Sequence, residues 1–129
     1  MKKVKLIIIY FSFMGNFRCT NLTGDGENEI YQRILNIDKT QTIIKFDRDC
    51  GATVGNSVHV SVMYASDSVN NESGNIFIAG MKGSWDESDT TVVISWIDNN
   101  SILIKYDKNL TVFKKDSMIN DTNVIYQVK

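Results

Sequence analysis

Val58, Val60, Val62 and Tyr64 alternate with Ser57, His59, Ser61 and Met63, a period of two that only a β-strand turns into one apolar face and one polar face. The alternation predicts that the valines are buried and that His59 faces solvent. Similar short runs follow or precede it at Thr42–Phe46, Ile76–Ala79, Val92–Ile97, Ile102–Tyr106, Leu110–Phe113 and Val124–Val128. Their spacing is near the 8–12 residues expected of sequential antiparallel strands. Parallel neighbours would call for helical crossovers that this spacing does not accommodate. Ile30–Ile37 reads equally well as a helical turn or a strand. Trp96–Ile104 reads as a hairpin, because Asp98, Asn99 and Asn100 tolerate the left-handed backbone of a tight turn. Ile76 to Ala79 are apolar on both faces, so part of the sheet must be covered twice, by a second sheet or by its own curl. The fold class is therefore mainly β: an antiparallel meander closed into a small sandwich or a strongly twisted sheet. With no proline in the chain, edge strands need charge for protection, and Lys45, Lys105 and Lys114 are the expected guards.

The first nineteen residues have a different character. A basic start (Met1 to Lys5), an apolar run from Leu6 to Met14 broken only by Ser12, and a polar break have the layout of a signal peptide. The run is shorter than the roughly 20 apolar residues of a spanning helix, although a thin anchor flanked by snorkelling Lys3 and Arg18 remains open. Cys19 is the lipidation candidate, with Arg18 standing where lipoproteins carry a small residue. The competing reading makes Leu6 to Phe13 the first strand of a cytosolic protein. Thr20 to Asn28, with Gly24 and Gly26, reads as a linker, which leaves one domain over residues 29–129. A length of 129 residues and a mass of 14.6 kDa match the expectation of a single domain. Lys2, Lys3, Lys5 and Arg18 all precede Cys19, so the remainder holds 10 basic against 15 acidic side chains. That excess of acid argues against nucleic acid as a partner, since phosphate backbones need a clustered positive field.

One loop stands out for its chemistry. Asp47, Asp49 and Cys50 run into a turn containing Gly51, Thr53 and Gly55. A thiol nucleophile at Cys50 would have His59, the only histidine of the chain, as its base. Asp47 and Asp49 oppose this, since nearby carboxylates raise a thiol's pKa. A packed thiol, or a disulfide to Cys19 outside a reducing compartment, fits better, and lipidation of Cys19 would exclude that disulfide. The acids Asp47, Asp49, Asp86, Glu87 and Asp89 lack the twelve-residue pattern of an EF-hand and read as solvated turns. Trp85 is placed in a loop, where it is a candidate partner contact. No catalytic residue, metal site or cofactor motif is assigned.

Several of these segments together resemble a family of small bacterial proteins, many with lipoprotein-type N-termini and none with an assigned activity. The shared residues are Arg48-Asp49-Cys50-Gly51-Ala52-Thr53 with Gly55, Gly74 to Ala79, Trp96-Ile97-Asp98-Asn99-Asn100 leading to Leu103-Ile104-Lys105-Tyr106, and Val112-Phe113-Lys114. They span roughly Thr42 to Val128. Val54 departs from the pattern, where the family has another threonine, and so does Arg18. The resemblance implies an exported, envelope-associated protein of the same fold and carries over no catalytic residue. The expected function is that of a non-enzymatic binding or structural domain, membrane-held through its N-terminal segment, whose partner is a protein or envelope component. A small acidic immunity or inhibitor protein blocking a basic partner is the alternative, and a thiol enzyme using Cys50 a second one.

Overall fold

The computed structural model describes residues 27–49, 56–68, 71–80 and 91–129, which form strands and turns with no helix among them. Strands β1 (Glu27–Leu35), β2 (Gln41–Asp49), β3 (Asn56–Tyr64) and β4 (Phe77–Gly80) make an antiparallel meander. The remaining strands are β5 (Val92–Asp98), β6 (Ser101–Tyr106), β7 (Thr111–Lys115), β8 (Met118–Ile119) and β9 (Thr122–Val128). β7 joins the first sheet, in the order β1-β2-β3-β4-β7, and the second sheet runs β5-β6-β9-β8. The molecule is mainly β, as the alternation dictates. Ile43, Val58, Val60 and Val62 of one sheet share a core with Ile94, Ile102, Ile104 and Val124 of the other. Phe77, fully buried, tilts against Tyr106 and Tyr126 at 5.4 and 5.8 Å between ring centres.

Two expectations about topology are corrected. β6 and β9 pair in parallel, Ile102 beside Val124 and Ile104 beside Tyr126, although no helix joins them. After β6 the chain crosses to the first sheet, lays down β7 beside β4, and returns through β8. A strand in the opposite layer does the work that a crossover helix does elsewhere. The second correction concerns the guards. Lys45 is buried in β2 with its Nζ donating to Val92 O at 2.7 Å, and Lys105 lies on β6, an inner strand. Only Lys114 stands on an edge strand, where it pairs with Asp116 at 3.3 Å. The β1 edge is broken instead by a bulge at Tyr31, between Ile30 and Gln32, a twist that hinders further pairing.

The Trp96–Ile104 hairpin forms, with Trp96 opposite Ile102, Asp98 opposite Ser101 and Ile97 bulged out. Its turn does not use the left-handed backbone, which among the non-glycine residues described occurs at Lys39, Asn120 and Asp121. Asp98 Oδ1 instead accepts from Asn100 N at 2.9 Å. The two-residue turn with both φ positive, 49° and 67°, is Asn120-Asp121 between β8 and β9, the geometry that matches strand twist. The Trp96-Ile97-Asp98-Asn99-Asn100 segment is a clasp between the sheets. Trp96 Nε1 donates to Ile34 O at 2.9 Å, Asn36 Nδ2 to Asn99 O at 3.1 Å, and Asn99 Nδ2 to Asp38 Oδ2 at 2.8 Å. Asp38 N returns a bond to Asn99 Oδ1 at 3.0 Å, and the hydroxyl of Thr40, then the Asn99 amide, hold the Asp38 carboxyl below its usual pKa.

Candidate functional site

β2 places its side chains on two faces, and both are buried from Gln41 to Arg48. Ile43, Lys45 and Asp47 share the inner face, because they lie opposite Val62, Val60 and Val58. Asp47 is thus a buried strand residue, where a solvated loop acid was expected. Asp49 ends β2 opposite Asn56. Cys50, Gly51, Thr53 and Gly55 lie outside the described residues, as do Cys19, Trp85, Asp86, Glu87 and Asp89. Of the described residues that flank 50–55 and 81–90, Asp49 lies opposite both Glu27 and Asn56, and Gly80 lies opposite Ser57.

The outer face carries Ile44, Phe46 and Arg48 beside Ser61, His59 and Ser57. It is not solvent. Residues 71–76 lie across it, and His59 is 3% exposed beneath them. Gly74 makes this possible, since a Cβ there would come within 2.9 Å of His59 Cβ, Phe77 O and Val60 N. Gly74 N donates to His59 Nδ1 at 2.8 Å, and the other ring nitrogen sits 2.8 Å from Ser57 Oγ. With Nδ1 accepting, the proton of the neutral ring is on Nε2 and is donated to Ser57. Phe46 stacks on the imidazole at 5.3 Å. Burial, then the Arg48 charge, pushes the His59 pKa down to about 3. A base needs a free lone pair, and that of His59 is committed to a backbone N–H. The solvent-facing placement of His59 is corrected, and with it its suitability as a base for Cys50.

Residues 71–76 form a strap over this face, and the other bonds that hold it, with the Arg48–Asn28 bond beneath, are structural. Asn28 N donates to Asn71 Oδ1 at 3.0 Å, Asn28 Nδ2 to Glu72 O at 2.8 Å, and Arg48 Nη1 to Asn28 Oδ1 at 2.7 Å. Asn75 stands in for a strand residue on β3: its Oδ1 accepts from Val62 N and its Nδ2 donates to Val62 O, both at 2.9 Å. Between strap and sheet a cleft of about 80 Å³ is floored by Ile44, Phe46 and Met63 and rimmed by Ser61, Glu72 and Ser73. That is close to half the roughly 150 Å³ that holds a benzene ring. Among the described residues no three His, Asp or Glu side chains converge as metal ligands. The one cue to this covered face was Ile43-Ile44 followed by Phe46, apolar on both sides of a single strand. No protein-family model, curated protein or solved structure matches this chain.

Proposed function

We propose that this protein is an envelope-held β-sandwich that binds a protein or surface component and catalyses nothing. The observation that carries the reading is the basic, apolar and polar order of residues 1–19, the layout of an export signal. The fold is compatible with it. β1 begins at Glu27, so residues 20–26 separate Cys19 from the first strand, a reach of about 25 Å when extended. A tether of that length holds the sandwich next to a bilayer without entering either sheet. The commitment of His59 to Gly74 and Ser57 supports a binding domain over a thiol enzyme. The excess of acid beyond Cys19, 15 side chains against 10 basic, favours a basic partner, and an inhibitor of such a partner is the second reading.

Fractionation of cells expressing the full chain, with intact mass of the recovered protein, tests the proposal. Membrane-held protein, lipidated or uncleaved, or a cleaved exported form, upholds it. Full-length protein confined to the soluble cytoplasm overturns it.

A further inference from the structure

The cleft between strap and sheet has an apolar floor and a polar rim, each held in place by bonds already described. Ile44 and Phe46 at its base are 2 and 3% exposed. The rim is fixed by Asn75, which spends its side-chain amide on Val62 and donates its backbone N–H to Ser61 Oγ at 3.0 Å. The other polar side chains of the lining end in oxygen: the hydroxyls of Ser61 and Ser73 and the carboxylate of Glu72. Glu72 is the one charged side chain among the described residues that line the cleft. Arg33, opposite Ile44, and Arg48 are cations of the same outer face, but neither lines it, and Arg48 is turned onto Asn28. We propose that this cleft is a subsite for a lysine side chain of a protein partner, with the stem on Ile44, Phe46 and Met63 and the ammonium at Glu72.

Size and charge select that group. Small-molecule sites commonly enclose ~300–1,000 Å³, so a cleft of about 80 Å³ takes one side chain of a larger molecule. An aromatic ring, which fills a cavity of roughly 150 Å³, is too wide, and an unbranched chain fits better. Lysine is apolar along its stem and charged only at its tip, the same order in which the cleft passes from buried floor to exposed rim. Its ammonium has three donors and no acceptor, and the rim offers it two hydroxyls and a carboxylate. An arginine has one methylene fewer to lay on the floor. The excess of acid beyond Cys19, 15 side chains against 10 basic, draws partners of the complementary charge to the same surface.

The assignment rests on the basic-partner reading above and names the group such a partner inserts, so the test keeps the two apart. The probe is a blocked tripeptide with photo-lysine at its centre, which keeps the ammonium and carries a diazirine in the stem. Full-length protein, in whichever cell fraction holds it, is irradiated with the probe at about 1 mM, since a lone exposed ion pair binds weakly. Label is expected on Ile44, Phe46 or Met63. The matching lysine tripeptide should displace it, and the norleucine tripeptide, with the same four carbons and no charge, about threefold less well. Glu72→Gln should lower the labelling about threefold and Glu72→Lys further, at an unchanged far-UV spectrum, because the side chain is exposed. Label scattered over the acidic surface, or displacement by norleucine or arginine tripeptides as good as by lysine, overturns the subsite and leaves the envelope reading intact. Recovery from the soluble cytoplasm alone sinks the envelope reading, and the labelling pattern still decides the subsite.

Discussion

The two outer faces of the sandwich differ in what covers them, and the alternation of the strands beneath does not disclose it. On the first sheet, Ser57, His59 and Ser61 occupy the polar half of a clean alternation, yet His59 and Ser61 are buried under residues 71–76. On the second, Val93 and Ile125 are apolar and exposed. Side-chain polarity in one strand therefore reports which face looks to the core, and the fate of the other face is decided by a distant segment. That segment is held by bonds spanning 43 and 44 residues, from Asn28 to Asn71 and Glu72.

The largest test of the covered face is pH. His59 has a folded-state pKa of about 3 against an ordinary 6.5. Below 6.5 the unfolded chain takes up a proton that the folded chain refuses until pH 3, so stability falls as pH drops through that window. The loss is on the order of 4 kcal/mol at about 1.4 kcal/mol per pKa unit. Denaturant midpoints between pH 7 and pH 3.5 measure it, and His59→Gln should remove this share of the slope. An unchanged slope in that variant would place His59 in solvent. Next in size is Ile44→Thr, which buries a hydroxyl and opens the floor of the cleft, and should cost roughly 2–4 kcal/mol. Gly74→Ala is smaller, about 1–3 kcal/mol of overpacking against His59 and the β3 backbone. In that variant the amides of residues 71–76 should exchange faster than those of β6, which reads strap loosening apart from global unfolding.

Much of the fold is legible in single strands, and what escapes involves partners far along the chain. β2, β3, β5, β6 and β9 follow from runs of apolar and β-branched residues. β1 stays ambiguous in sequence because the bulge at Tyr31 shifts Ile30 out of phase with Ile34. β8, two residues long, has no period to detect. The parallel β6-β9 pair is invisible to a spacing rule that presumes a helix within one layer. Lys45 misleads because a charged head on a four-carbon stem reads as surface, whereas its ammonium reaches a carbonyl of β5. The Trp96 to Asn100 motif is conspicuous as composition, but its clasp on Asn36 and Asp38 is seen only when the two turns meet. Of the singled-out loop, Asp47 shows its environment and belongs to the interior.

The smallest expected effect is the sharpest test of the bare face. Ile125→Thr keeps a β-branched side chain on β9 and removes apolar surface that is already 48% exposed. Its outward neighbour Leu103 and the inner-face Val124 and Tyr126 stay in place. The change in unfolding free energy should fall within about 0.5 kcal/mol, as for surface substitutions that touch no cap, network or cavity. Set beside Ile44→Thr, the same chemical change read on the covered face, the ratio of the two costs measures how much of each outer face the fold itself uses. A cost at position 125 approaching that at position 44 would mean that the outer face of the second sheet is also covered within the monomer. A negligible cost would show that the fold draws little stability from the exposed half of Ile125.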